Sequence, residues 1–510
     1  MLLRLLLCLP IFLCAETVEP WLLPRPELAK FSDKAFRTPN ATLTIRGADA
    51  HQLALAQRIL KADGTLQDVQ PTTEAKAQIE IGRAWSGEAG YALTITEEKI
   101  IIGYSHPEYF HHALITLRQL AWNHSGNWSV PAGDVYDLPR YGHRGYMLDE
   151  SRHFTGKDGV KRLLDAMELL KLNVFHWHLT DSTGWRLEIK KYPKLTTIGA
   201  TGNHTDATAS PTFYTQNDIR EIVAYAEARG ITIIPEIDMP GHASAANRAY
   251  PEFSGGGSAK FPDFTFNPAS TNTENFLHDI LQEVRELFPH SPMIHLGGDE
   301  VHFGWEQWPK LPEVKTLMTD QHFTKLDEVE GYFVRRMTHH LSESWDKVGL
   351  WDEASRFDLP PEKTTLFWWR HDKPQGLQDA VTKGYAIVLC PRIPLYFDFV
   401  QDASHQSGRR WAGKFAELSA VYQFPESLGK TLPPQAKILG IQANLWTETT
   451  VTQDRRDFMT FPRLLAAAEA AWTKPERKDF NRFQETAAHF LPHLKALGIK
   501  PWEGGPEIKK

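Results

Sequence analysis

Met293-Ile294-His295-Leu296-Gly297-Gly298-Asp299-Glu300 is the stretch on which the reading of this chain turns. A short apolar run stops at two glycines, and two carboxylates follow side by side. An apolar run that ends this way reads as a buried strand arriving at an open rim. Adjacent acids there repel each other, and burial penalises a second charge, so one stays protonated while its neighbour ionises. That division is the raw material for acid/base work on a glycosidic bond. The competing reading is a helix start, where Asp and Glu complement the helix dipole.

Outward from this stretch the same unit recurs. From Tyr141 onward, short apolar runs alternate with helical patterns. The runs are Gly145–Asp149, Asn173–Leu179, Ile231–Ile237, Met293–Leu296, Val348–Trp351, Thr365–Trp369, Ala386–Leu389 and Ile438–Ala443. Helical spacing marks Lys157–Leu170, Asn217–Arg229, Thr273–Leu287, Asp327–Trp345 and Phe458–Trp472. Repeated β-then-α argues for parallel strands with crossover helices. Eight such runs favour an α/β fold closed as a (β/α)₈ barrel. The expected barrel spans 140–490, with a tail over 491–510.

Before it, residues 16–139 read as a small α+β domain. Strand patterns fall at Ala41–Arg46, Ala77–Ile81, Tyr91–Ile95 and Lys99–Gly103, and helical ones at His51–Ala62 and Pro107–Trp122. Asp134–Arg140, with Pro139, reads as the linker. Residues 1–15 read as an export signal, apolar around one charge, Arg4. Leu13 is too large for a lipid-anchor pattern at Cys14. Loss of the signal would leave Cys390 as the one thiol, with no internal disulfide. Asn-X-Ser/Thr sequons start at Asn40, Asn123, Asn127 and Asn203.

Active sites of such barrels lie at the C-terminal ends of the strands. Here those ends carry Asp149, Asp181, Glu236, Asp238, Asp299, Glu300, Asp352, Glu353 and Glu448. Trp177, Trp351, Trp368, Trp369 and Trp446 stand near the same ends. Acids and indoles from distant segments thus gather on one rim, which favours function over helix capping for Asp299-Glu300. The chain holds 16 Trp, 14 Tyr and 27 Phe; some are core, and others fit the flat walls of a sugar groove. A net charge of -7, with no basic stripe, excludes a phosphate-backbone reader. The apolar start is too short for a stable membrane span.

His176-Trp177-His178 offers a competing metal-hydrolase reading, since His-X-His at a strand end holds metals in other barrels. Later strand ends supply mostly Trp and Glu, so packed, hydrogen-bonded histidines are the plainer reading, with no metal and no cofactor. Arg152 can grip hydroxyls or carboxylates and could pair with Asp181. Asp238 could orient His242. Tyr396, Asp398 and Trp411 occupy the long segment after the seventh run, where loops usually carry function.

Residues 141 to about 475 resemble the family 20 glycoside hydrolases, the β-N-acetylhexosaminidases. The resemblance rests on Arg144–Asp149 with Ser151–Phe154, Asn173–Asp181, Pro235–His242, His295–Val301, Trp351–Glu353 and Gln442–Glu448, in family order. Leu350 departs from it, standing where a Gly often precedes Trp-Asp-Glu. The resemblance implies exo-acting, retaining hydrolysis of terminal β-linked GlcNAc or GalNAc, from a glycan or chitooligosaccharide, with the 2-acetamido group as nucleophile. It makes Glu300 the general acid and then base, a role that a raised pKa would suit, and keeps Asp299 ionised on the acetamido N–H. Tyr396 falls on the acetamido oxygen. Trp351, Trp368 and Trp446 become walls, and Arg152, Asp398 and Glu448 hold ring hydroxyls. Asp181, Asp238 and His242 become supports, and Trp411 a rim residue. A sugar-binding barrel without hydrolysis is the remaining alternative.

Overall fold

A computed structural model describes residues 19–510 apart from 39, 83–88, 123–127, 411, 412, 414, 504–507, 509 and 510. The expected signal at 1–15, the sequons at Asn123 and Asn127, and Trp411 lie outside the described residues. By contact density the chain divides into Met1–Pro139 and Arg140–Lys510. Among the described residues no helix is long and apolar enough to cross a membrane.

The first unit is a seven-stranded mixed sheet with helices Ala50–Leu60 and Pro107–Ala121. Strands Leu28–Arg37, Asp68–Pro71 and Ser129–Asp137 were not legible in the sequence. Leu28–Arg37 is rich in Lys, Asp and Ala, poor strand formers, and is held by antiparallel pairing with Ser129–Asp137. That partner runs through most of the expected linker, which shortens to Leu138 and Pro139.

The second unit is the expected closed barrel. Its strands are β1 (His143–Asp149), β2 (Val174–His178), β3 (Thr232–Glu236), β4 (Met293–His295), β5 (Lys347–Trp351), β6 (Thr364–Trp368), β7 (Ala386–Leu389) and β8 (Lys437–Leu445). Each pairs in parallel with the next, and β8 closes on β1 with Ala443 opposite Tyr146. The main outer helices are α1 (Lys157–Leu169), α2 (Gln216–Glu227), α3 (Thr271–Leu287) and α4 (Leu326–Leu341). The helix expected over Phe458–Trp472 is two, α5 (Gln453–Thr460) and α6 (Arg463–Trp472). Pro462 separates them, because it lacks an N–H and disfavours helical geometry at Phe461. A last helix, α7 (Phe480–Ala496), runs through the expected boundary at 490 and buries Leu491 and Leu494.

The barrel interior departs from the branched aliphatic layers usual for this architecture. His143 contacts Gln442 at 3.3 Å, and the Gln442 amide donates to His176 Nδ1 at 3.0 Å and to Asn444 at 2.9 Å. His176, His295 and Glu236 are fully buried above them. A polar column therefore rises through the barrel to the rim where the acids stand, its members partly paired with one another.

Candidate active site

The rim is built from the strand ends, and the end of β4 shows how. Gly297 and Gly298 have φ of 65° and 82°, and Glu300 has φ of 55°. Successive strand residues face opposite ways; these left-handed turns are what let both Asp299 and Glu300 line one cavity. A Cβ on Gly297 would lie 2.0 Å from Asp238 Oδ1. That glycine lets Asp238 reach the turn, where it accepts the Gly298 N–H at 3.2 Å.

Asp299 and Glu300 share one neighbour. His242 Nε2 stands 3.6 Å from Asp299 and 3.7 Å from Glu300. His242 Nδ1 is held by Asp181 at 3.0 Å, so Asp181, rather than Asp238, orients this ring. Burial opposes a charge on His242, but Asp181 and Asp299 outweigh it and push the imidazole up to about 9. Asp181 also binds Arg152 at 2.8 Å and His178 at 3.1 Å. The Arg152 guanidinium lies 5.1 Å over the Trp446 ring.

Burial pushes the Asp299 carboxyl well above the usual carboxylate range, against the pull of His242. Its Oδ1 has no hydrogen-bond partner. Burial therefore works against the ionised form expected of Asp299 from the sequence, and the His242 imidazole works for it.

Aromatic rings wall the same cavity, which encloses about 540 Å³, a size suited to a sugar-sized guest. Trp369 stacks on Tyr396 at 6.1 Å and 14°, and Tyr396 lies 6.1 Å from Trp446. Trp351 is packed behind them, 6.0 Å from Trp446, with its indole N–H on Glu236 at 2.9 Å. Trp368 is buried and does not line the cavity; its neighbour Trp369 does, with its N–H on Glu353 at 3.0 Å. A one-residue offset at a strand end exchanges the inner and outer faces. Trp177 likewise belongs to the packing layer, against Tyr214 and Phe288.

Glu448 lines the cavity and Asp398 sits buried beside it. Arg409 bridges the two, 3.2 Å from Asp398 and 2.5 Å from Glu448. Even so, burial pushes the Asp398 carboxyl up to about 7. Arg392, Arg409 and Arg410 complete the lining with Phe399. Sequence reasoning missed these arginines, although Arg409-Arg410 directly precedes the singled-out Trp411.

His176 and His178 turn inward onto a carboxylate. Glu236 binds His178 Nδ1 at 2.6 Å, His176 Nε2 at 3.0 Å and His295 Nδ1 at 3.0 Å. Ligand atoms of His176, Glu236 and His295 lie within 4.8 Å of one another, a spacing that could hold an ion. A catalytic metal, however, needs a coordination position open to substrate, and these side chains are fully buried. The donor set does not fit a catalytic role for a metal here.

A closed barrel whose strand ends bring adjacent acids, a buried imidazole and an indole stacked on a phenol to one cavity has the make-up of a glycoside-hydrolase barrel. The comparison with known proteins narrows this. The chain belongs to glycosyl hydrolase family 20: the catalytic-domain description matches residues 141–475 and the family's domain 2 matches 19–138. It is 37% identical to a β-hexosaminidase of Vibrio furnissii over 402 residues, covering 75% of this chain and 65% of that protein. It is 34% identical to a β-hexosaminidase of Porphyromonas gingivalis, covering 94% of this chain and 64% of that protein. The chain thus spans just under two thirds of the length of these relatives. A crystal structure of a GH20 exo β-N-acetylglucosaminidase from Vibrio harveyi, in complex with N-acetylglucosamine, superposes with a TM-score of 0.85 at 32% identity, covering 94% of this chain and 78% of that one.

Proposed function

We propose that this chain is an exo-acting β-N-acetylhexosaminidase that removes terminal β-linked GlcNAc or GalNAc with retention, using the substrate's own acetamido oxygen as nucleophile. One observation carries the reading. Among the described residues the acids lining the cavity are Asp299, Glu300 and Glu448, and Glu448 is already held by Arg409. Two adjacent acids cannot flank a glycosidic bond from opposite faces, as a two-carboxylate mechanism requires. The nucleophile then comes with the sugar.

In this reading Glu300 protonates the leaving oxygen and afterwards takes a proton from water, with the His242 cation at 3.7 Å steadying its charged form. Asp299 accepts the acetamido N–H, turning the carbonyl oxygen toward the anomeric carbon, and balances the positive charge of the oxazoline-like intermediate. The Tyr396 phenol, kept protonated by burial, donates to that oxygen. Trp369, Trp446 and, behind them, Trp351 confine the acetyl group. Such positioning of an internal nucleophile supplies a large share of the rate. Arg152, Asp398 and Glu448 hold ring hydroxyls, with Asp181, Asp238 and His242 in support. The relatives named β-hexosaminidase and the neighbour solved with N-acetylglucosamine support the substrate class. The apolar segment 1–15 supports export of the protein.

The test is hydrolysis of an aryl N-acetyl-β-D-glucosaminide beside its galacto epimer and the corresponding glucoside without the N-acyl group. We expect release from the first two and none from the third. Binding without turnover would favour the sugar-binding barrel. Activity is expected to survive chelation; its loss and return with zinc would revive the His176/His178 reading.

A further inference from the structure

In the proposed reaction the histidines of the barrel column touch neither substrate nor leaving group, yet one of them connects to the site. His176 and His178 alternate with Trp177 along β2, so both face the barrel axis while Trp177 packs outward against Phe288. His178 ends the strand, directly opposite Glu236 at the end of β3. Its ring is fully buried, and both nitrogens meet carboxylates. Nδ1 lies 2.6 Å from Glu236 Oε2, and Nε2 lies 3.1 Å from Asp181 Oδ2. Burial opposes ionisation of both acids, but Arg152 and His242 hold Asp181 low, and the imidazoles hold Glu236 low. An ionised carboxylate only accepts, so a ring placed between two of them donates from both nitrogens and carries a charge. Burial opposes that charge too, but Glu236 and Asp181 hold the His178 imidazole well above its ordinary value.

Asp181 carries the contact onward. Its Oδ2 takes His178 and Arg152, and its Oδ1 takes His242 Nδ1 at 3.0 Å. The far nitrogen of His242 faces Glu300 at 3.7 Å and Asp299 at 3.6 Å. Acid and imidazole thus alternate from the barrel interior to the rim, in the order Glu236, His178, Asp181, His242, Glu300. Resting on the activity proposed for Glu300, we propose that His178 is a positioning residue, which through Asp181 keeps the His242 ring where it steadies Glu300 as its proton leaves for the glycosidic oxygen. A carboxylate gripped at one oxygen by two cations loses its freedom to turn, so its other oxygen stays aimed at His242. His178 itself never meets the sugar.

Two amide side chains separate the two contacts. In His178→Asn the amide falls near the place of Nδ1 and keeps a donor for Glu236, while the donor for Asp181 is lost. In His178→Gln the amide reaches the place of Nε2 and keeps the donor for Asp181. Wild type and both variants are assayed on N,N′-diacetylchitobiose, whose leaving sugar needs a proton, and on 2,4-dinitrophenyl N-acetyl-β-D-glucosaminide, whose leaving group does not. His178→Asn is expected to lower kcat/KM on the disaccharide about tenfold, through kcat, as loss of a hydrogen bond between charged groups implies. On the dinitrophenyl glycoside the loss is expected to stay below about twofold, because no proton transfer helps that bond break. His178→Gln returns most of the loss on the disaccharide. Equal losses in the two variants, equal losses on the two substrates, or a loss that falls in KM each overturn the inference and leave the proposed activity standing. The last would route the effect through Arg152, or through Trp446, whose ring meets His178 edge-on at 4.9 Å. Neutron diffraction from wild-type crystals covers a variant that does not fold: deuterons on both ring nitrogens of His178 are expected, and a bare Nε2 overturns the inference. Wild type that leaves both substrates intact overturns the activity itself, and this inference with it.

Discussion

Glu236 ties four adjacent strands together: it stands on β3 and holds His176 and His178 of β2, His295 of β4 and Trp351 of β5. Burial would neutralise it, but the surrounding imidazoles hold its carboxyl well below the usual range. Glu236→Leu strands the His178 and Trp351 donors and is expected to cost about 3–5 kcal/mol, as for a broken buried ion pair, measured by denaturant unfolding. Glu236→Gln keeps an acceptor for the Trp351 N–H, so it should fold; a loosened wall then narrows the preference for N-acetyl over N-propionyl substrates. Unchanged N-acyl selectivity would remove Glu236 from the positioning of that wall. Glu300→Gln should lose about 10²–10⁴ in rate on a disaccharide, within the range for a general acid, and much less on aryl glycosides with good leaving groups. Equal losses on both would contradict its role as acid. Asp299 and Glu300 were legible because a glycine-closed apolar run announces a rim. Trp369 was not, because adjacent tryptophans leave the inner face ambiguous by one residue. Glu236 was not, because its role exists only where four strands meet.

The strands themselves were legible as elements: each barrel strand is short and largely buried on both faces, so apolar residues mark it even where column residues such as His176 and Gln442 interrupt the run. Helix ends were less so, since α5 and α6 share one apolar pattern that Pro462 interrupts. In the first unit, Leu28–Arg37 owes its form to its partner strand, a long-range cause that local composition does not carry. The turn after β4 yields a prediction at this scale. Gly297→Ala places a Cβ 2.0 Å from Asp238 at a φ of 65°. It should destabilise the protein by about 1–3 kcal/mol through left-handed strain and displace Asp238, lowering kcat more than it raises KM. A variant with wild-type Tm and kcat would show that the turn does not need this glycine.

For the whole molecule the buried ionisable groups set a pH profile. Burial raises Glu150 and Asp398 to about 7, and burial with Asp352 raises Glu353 to about 8. A carboxyl whose folded value lies above its unfolded one favours the folded state while protonated. That stability is fully present below the unfolded value near 4 and is lost as pH rises through 7 to 8. His242 adds the same sign, its contribution present below 6.5 and lost through about 9. Asp181 and Glu236, held low by their cations, contribute the opposite sign and only toward strong acid. The ligand-free protein should therefore show a Tm that falls steadily from mildly acidic pH to pH 9. A flat or rising Tm over that range would mean these acids are ionised in the folded protein.

The division of labour between strand ends and the long segment after β7 has a consequence for specificity. Most of what is assigned to the amide and the leaving oxygen hangs on strand ends, braced from behind by the sealed column under Glu236. The cavity-lining Arg392, Arg409 and Arg410 sit in the segment between β7 and β8. On the proposed function, substitutions of these arginines are expected to change which glycans are accepted with less effect on the chemical step than substitutions at Asp299 or Glu300, a split that kcat against KM would read.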